Sequence, residues 1–519
     1  MKTDTIAAIA TALSDSGIGI IRISGEEAIS IADSVFRTKS GKRKLMDVPS
    51  HTIQYGYIVD YGIKYDINIE KNNIEINDIE INDVEEKNVE VKKINNVEIN
   101  DSYNNELILE NDWKNNIIDE VMVAVMRAPR SYTTEDTVEI NCHGGVLVMQ
   151  KILETVIKAG ARIAEPGEFT KRAFLNGRID LSKAEAVIDV IHSQNELAYK
   201  SSLNQLRGNL SAEIKKLREE VIYEIAFIES ALDDPEHISL DGYPEELSEK
   251  VESLSARINK MIATADNGKL MKEGISTVIV GKPNAGKSSL LNLMVGEERA
   301  IVTDIAGTTR DVLQESIKLH GIGLNIIDTA GIHETQDVVE KIGVEKAKKY
   351  AVDADLIIYV VDSSVELDES DKEIISLLDN KKAIILLNKT DLSAVVTEAE
   401  LNAMMDEVIP NHEDVVMLRT STKENTGMDI FEDTIKKMFF GGELKNNNEI
   451  IITNMRHKEA LQDAYNSLLM VKRSIEDGMP EDFYSIDLMS AYSSLGFIIG
   501  EEVGEDLVNE IFSKFCMGK

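Results

Sequence analysis

The chain has 519 residues, 43% of them hydrophobic, and a formal net charge of -36. That length predicts roughly three domains, because single cores rarely grow beyond ~250 residues, and the hydrophobic share excludes a chain disordered throughout. The acidic balance excludes a general nucleic-acid binder, since phosphate contacts need Lys and Arg; any RNA would need a local basic patch or a basic partner. Cys142 and Cys516 are far apart with no ligand spacing, so neither a disulfide scaffold nor a zinc site is expected, which fits a reducing cytoplasm. The opening residues lack a basic region followed by a sustained apolar run, so no signal peptide is expected. No run of 18 or more apolar residues occurs, and no membrane span is expected.

Residues 1 to ~58 alternate short apolar runs with turns. Gly17 to Ile23 reads as a β-branched strand carrying Arg22, and residues 27–36 as an amphipathic helix. Residues 60–117 change texture: Ile, Asn, Glu and Asp dominate, with a near repeat of five residues, and the segment reads as a low-complexity insertion. A strand pattern resumes at Asp119, a polar loop spans Arg127 to Asp136, a second strand begins at Val138, and residues 146–159 read as a helix ending near Gly160. The expectation is an N-terminal α+β domain over 1–176. Helical periodicity then runs from ~179 to ~270, broken at Asp233-Asp-Pro, and returns after ~450. Two helical stretches around an α/β unit predict a helical domain, 177–272 with 448–519, into which a Ras-like P-loop domain, 273–447, is inserted. The fold class expected is multidomain α/β.

The α/β unit carries the chemistry. A strand ending at Val280 leads into Gly281-Lys-Pro-Asn-Ala-Gly286-Lys287-Ser288, and a helix follows. This is G-x-x-x-x-G-K-S in its required strand–loop–helix setting. Glycines let backbone N–H groups turn onto phosphate oxygens, and the helix N-terminus adds partial positive charge. Asn284, Ala285, Gly286, Lys287, Ser288 and Ser289 form the expected cradle, with Lys287 reaching the β/γ-phosphates and Ser288 ligating Mg²⁺. That loop alone does not separate ATP from GTP. Ile326-Ile-Asp328-Thr329-Ala330-Gly331 supplies D-x-x-G, for metal-bound water and γ-phosphate. Ile384-Ile-Leu-Leu-Asn388-Lys389-Thr-Asp391 supplies N-K-x-D. A carboxylate at Asp391 accepts from guanine N1–H and the exocyclic amine, which adenine does not offer in that geometry. Thr420 to Lys423, with Ser421 within it, offers further contacts to the base. Ala306 to Asp311 occupies the place of a switch loop, with Thr309 as the candidate hydroxyl for the Mg²⁺ shell. After D-x-x-G stand Ile332 and His333 rather than a water-positioning Gln. The series implies GTP binding and hydrolysis.

With these residues in hand, the chain resembles the tRNA-modifying GTPase family MnmE (TrmE). Beyond the nucleotide motifs, the resemblance is carried by Asp4 to Thr11, Ser131-Tyr-Thr-Thr-Glu-Asp136, His143-Gly-Gly, Pro166 to Leu181, and Phe515-Cys-Met-Gly-Lys519. It implies a homodimer joined through N-terminal domains and a bound 5-formyl- or methylene-tetrahydrofolate. By motif match, Arg22, Glu139, Arg178 and Lys519 would bind the folate, basic groups suiting its carboxylates and Glu139 the pterin donors. It also implies K⁺-stimulated hydrolysis, with Asn284, Thr303, Ile305 and Thr308 holding K⁺, and Thr308 beside the nucleotide as well. The ion would take the part played elsewhere by an arginine finger. Glu340 matches the family's water-orienting glutamate, so Glu340, Lys287 and Thr309 are the catalytic expectations. A flavin-dependent MnmG-like partner, bringing FAD and NADH, would join in modifying the wobble uridine of certain tRNAs.

Departures from the family pattern are visible. The insertion lies in the N-terminal domain, the loop from Thr11 to Gly17 lacks the usual Pro/Gly/Arg character, and Thr134 stands for a usual Gly. Arg178 stands for a usual Lys, and His333 stands where Arg is common. Cys516 is read as structural rather than as a reactive thiol. The rival class is a ribosome-assembly or signalling switch, which would call for an appended basic RNA-binding module. A mechanochemical membrane GTPase would call for basic amphipathic helices.

Overall fold

The computed structural model describes residues 4–39, 44–60, 112–193, 195–297, 314–319, 322–327, 350–409, 411–440, 450–516 and 518. The chain divides into two units, Met1–Ile179 with Glu505–Lys519, and Asp180–Gly504.

The first unit is built on a seven-stranded sheet: β1 (Ile6–Ile9), β2 (Ser16–Ser24), β3 (Phe36–Thr38), β4 (Thr52–Val59), β5 (Ile117–Met126), β6 (Thr137–Gly144) and β7 (Arg162–Ile163). The spatial order is β3-β4-β5-β6-β2-β1-β7. Alternation places Ile21, Ile23, Val121, Val123, Val125, Val138 and Ile140 on one buried face, where helices Ala28–Val35 and Val146–Lys158 cover them. β2 pairs antiparallel with β6, so Arg22 lies directly opposite Glu139 on the other face.

Strand β5 begins at Ile117 and is preceded by a turn over Asp112–Asn116, so ordered pairing resumes earlier than the pattern from Asp119 suggests. Trp113 explains the early start: its ring sits 5.7 Å from that of Tyr57. Residues 61–111, most of the segment read as an insertion, lie outside the described residues.

Helix Glu505–Ser513 belongs to this first unit, whereas helical periodicity groups 505–519 with the helical domain. Aromatic burial draws it there: Phe512 packs on Phe174 at 6.2 Å and on Phe515 at 5.1 Å. Gly167, at φ +68°, sits against this helix, and a Cβ there would meet the Phe512 carbonyl at 2.6 Å.

In the second unit, helices Asn209–Asp233, Tyr243–Ala263, Met455–Glu476 and Glu481–Ile499 bury a Leu/Ile/Val core. A six-stranded sheet follows the order β13-β12-β11-β8-β10-β9. Its strands are β8 (Ile275–Val280), β9 (Gln314–Leu319), β10 (Ile322–Ile327), β11 (Leu356–Asp362), β12 (Ala383–Asn388) and β13 (Val415–Arg419). All neighbours are parallel except β9 with β10. β12 is buried along its whole length, as a central parallel strand covered on both faces must be.

One short helix, Leu181–His192, ties down both points where the chain passes between the helical bundle and the sheet. Its Glu185 accepts from Arg456 and His457 at 2.7 Å and from Asn454 at 3.0 Å. One turn on, Asp189 pairs with Lys272 at 2.7 Å, just before β8.

No described helix is long and apolar enough to cross a membrane.

Candidate functional site

The parallel strands end at one edge of the sheet, and the chemistry-bearing loops leave from it. β8 ends in Val280 and passes into Gly281 at φ +149°, Asn284 at φ +60° and Gly286 at φ +107°. Asn tolerates the left-handed region better than most residues, and the glycines carry no Cβ to forbid it. A Cβ at Gly286 would meet Asn388 Nδ2 at 2.2 Å. The loop therefore has room for backbone alone, the arrangement that turns N–H groups toward a phosphate. Helix Lys287–Glu297 starts where the loop ends, with Ser288 and Ser289 in its first turn and Ala285 buried beneath. Lys287 Nζ donates to the carbonyls of Gly281 at 2.7 Å and Lys282 at 2.8 Å. Burial pushes its pKa below the usual lysine range, so an anion beside it is the natural compensation.

The second loop leaves β12. Asn388 Nδ2 donates to Ala285 O at 2.9 Å, and Asn388 Oδ1 accepts from Thr422 N at 3.0 Å. One buried amide thus joins the phosphate loop, β12 and the segment after β13. Lys389, at φ +63°, pairs with Asp362 at 2.6 Å. Burial would raise the Asp362 pKa, but Lys389 and Ser364 outweigh it and hold the carboxyl low. Asp391 Oδ1 accepts from Ser421 Oγ at 2.7 Å, with Lys423 3.8 Å from the other oxygen. The Ser421 hydrogen bond keeps Asp391 below the usual carboxylate range, ready to accept from two N–H donors.

Asn284, Ala285, Gly286, Lys287, Ser288, Ser289, Asn388, Lys389, Asp391 and Ser421 are therefore gathered at one sheet edge. Thr303, Ile305, Thr308, Thr309, Asp328, Thr329, Ala330, Gly331, His333 and Glu340 lie outside the described residues. Asp362, which fixes Lys389, is a residue the motif reading missed. Its signal was an apolar strand ending in a carboxylate, Leu356 to Asp362.

A second cluster lies in the first unit. Arg22 donates from Nε to Glu139 at 2.9 Å, from Nη2 to the same oxygen at 2.8 Å, and from Nη1 to Gly518 O at 3.0 Å. Arg178 is exposed and donates to the Tyr132 carbonyl at 3.0 Å. In the same unit runs an ionic chain that is buried at one end and exposed at the other: Arg172 contacts Glu135 at 3.1 Å and Glu168 at 3.0 Å, and the exposed Arg162 reaches Glu168 and Asp4. The cluster brings together Arg22, Glu139 and Arg178; Lys519 lies outside the described residues. Cys142 is buried in this unit's core, which pushes its thiol up to about 11, whereas Cys516 is exposed and lends its carbonyl to Gly167 N.

The family model described as MnmE helical domain matches residues 181–516, and that of the GTP-binding protein TrmE N-terminus matches 5–75 and 79–178. The tRNA modification GTPase MnmE of Lachnoclostridium phytofermentans is 53% identical over 519 residues, covering 100% of both chains. This chain belongs to the MnmE family of tRNA modification GTPases. The MnmE proteins of Clostridioides difficile and Enterococcus faecalis are 44% and 43% identical, each covering at least 99% of both chains. The alignment with the Lachnoclostridium MnmE runs through the low-complexity segment, and the TrmE N-terminal match breaks only at 76–78.

Proposed function

We propose that this chain hydrolyses GTP to time the addition of a carboxymethylaminomethyl, or aminomethyl, group at C5 of the wobble uridine (U34) of certain tRNAs. A flavoprotein resembling MnmG, carrying FAD and drawing on NADH, acts with it in a cytoplasmic heterotetramer, and the chain pairs with itself as a homodimer. A 5-formyl- or methylene-tetrahydrofolate supplies the carbon and is held by Arg22, Glu139, Arg178 and Lys519.

In the nucleotide domain, 273–447, Lys287 carries charge on the β/γ-phosphates and Asp391 selects guanine. Mg²⁺, on Ser288 and Thr309, and K⁺, on Asn284, Thr303, Ile305 and Thr308, neutralise phosphate charge when bound. Glu340 orients the attacking water. The fit is supported by the Cβ-free cradle at Gly286 and by a desolvated ammonium at Lys287 that favours an anionic neighbour.

One observation carries the reading: full-length membership in the family accompanies a second polar cluster, Arg22 with Glu139, outside the nucleotide-binding unit. A bare signalling or ribosome-assembly switch has no use for it.

The test is a mass-spectrometric nucleoside profile of tRNA from cells lacking the gene. Wobble uridine lacks its C5 substituent there, the native gene restores it, and Lys287→Ala does not. Fully modified wobble uridine in the deletion strain refutes the assignment.

A further inference from the structure

Tyr132 sits at the centre of the Arg22 cluster. Its ring lies 5.6 Å from the Arg22 guanidinium carbon and 4.9 Å from that of Arg178. Its hydroxyl shares a 2.9 Å hydrogen bond with Thr170 Oγ1, and its ring packs against the small buried group of Ile6, Ala8, Ala164 and Phe169. Asn176 donates to the neighbouring Thr133 carbonyl at 2.7 Å and fixes the same loop. The tyrosine is thus held at its ring, its hydroxyl and its backbone.

The two arginines differ in what else holds them. Arg22 has Glu139 and the Gly518 carbonyl in addition to its aromatic contacts, which include Phe169 at 5.7 Å. Arg178 is exposed, and among the described residues both of its contacts are to Tyr132, one to the ring and one to the carbonyl. A guanidinium has five N–H donors in a planar fork, so Arg178 keeps most of them for a ligand. Its plane can stack on the ring while the fork stays in water, which a lysine ammonium cannot do. Glu139 already compensates the charge of Arg22, so Arg178 is the cation of the pair left to a carboxylate of a ligand.

We propose that Tyr132 is the positioning residue of the folate site: it holds Arg178 beside Arg22, and Arg178 grips a carboxylate of the ligand's tail. The proposal rests on the folate reading above.

The experiment is calorimetric titration of the full chain with 5-formyl-tetrahydrofolate. Wild type binds; absence of binding in wild type defeats the folate reading itself, whereas the variants judge Tyr132 alone. Tyr132→Phe keeps the ring and stays within about twofold of wild type, whereas Tyr132→Leu weakens binding about tenfold. Arg178→Gln weakens it by a similar factor, and adding Tyr132→Leu to Arg178→Gln costs little more, because the two act through one contact. An unchanged affinity in Tyr132→Leu overturns the proposal. So does an equal loss from Tyr132→Leu with and without Arg178, which marks a merely structural residue. Should the Leu variant fail to fold, Arg178→Lys decides: a site dependent on stacking loses about threefold in affinity. Unchanged affinity there overturns the proposal.

Discussion

The nucleotide site and the Arg22 cluster are assembled in opposite ways. At the sheet edge of the second unit, Gly281 to Ser289 is one continuous stretch, and Asn388 to Asp391 is another. In the first unit, Arg22, Tyr132, Glu139, Phe169, Arg178 and Gly518 come from segments spread across almost 500 positions. A loop that grips phosphate with its own backbone needs glycines at fixed spacing, so its chemistry is written locally. A cluster made of side chains from distant strands depends on the register of β2 against β6, which no short pattern records.

This contrast predicts that the local site fails by backbone sterics and the assembled one by lost pairing. The largest effect is expected at Gly286. With φ at +107° and Asn388 Nδ2 in the way, Gly286→Val collapses the cradle, and GTP turnover falls by about a thousandfold. Calorimetry with 5-formyl-tetrahydrofolate should show the other unit unaffected. Retained turnover would break the claim that the loop's conformation is the site.

Next comes the buried network at Glu185. Burial alone would raise this carboxyl, but His457 and Arg456 outweigh it and hold the pKa at about 2 against an ordinary 4.5. Because the folded value is depressed, the contribution is complete above pH ~4.5 and fades as pH falls toward 2. Glu185→Gln should therefore destabilise the unit by about 3 kcal/mol at neutral pH, since it leaves the partly buried Arg456 guanidinium without its carboxylate. The gap in melting temperature between the two proteins should narrow steadily below pH 4.5. A gap independent of pH would show that shape, not charge, holds these helices.

A smaller effect is expected at Ser421, whose hydrogen bond orients Asp391. Ser421→Ala should weaken GTP about tenfold and leave the weak binding of ATP unchanged. Equal losses for both nucleotides would mean that Ser421 supports the loop rather than guanine selection.

The smallest concerns Thr134. Its φ of +65° is costly for a β-branched residue. Thr134→Gly should stabilise the first unit by about 1 kcal/mol, read as a higher melting temperature. A lower one would show that the left-handed backbone is not strained there.

The phosphate loop, Gly281 to Ser289, and the end of β12, Asn388 to Asp391, are legible because their motifs are local, whereas Asp328 to Gly331 lies outside the described residues; the membership of the chain is legible in Ser131 to Asp136 and Pro166 to Leu181 for the same local reason. Helix Ala28–Val35 and helix Val146–Lys158 match their amphipathic patterns within a residue or two. What the sequence hides is contact at a distance. Nothing in the periodicity of Glu505–Ser513 says that Phe512 packs on Phe174 rather than on the helical bundle. Nor does the apolar run from Leu356, although it ends in a carboxylate, say that Asp362 fixes Lys389 rather than another cation. The strand pattern places the start of β5 too late because Trp113 and Tyr57 meet only once β4 and β5 are paired.

The central claim is that a Cβ-free loop around Gly286 and the carboxylate at Asp391 act together on one guanine nucleotide. Competition calorimetry on the full chain with Mg²⁺ and K⁺ tests it most directly. GTP should bind once per chain and resist displacement by a hundredfold excess of ATP, and Asp391→Ala should remove that preference without abolishing binding of the triphosphate. Displacement of GTP by an equal concentration of ATP would contradict the account.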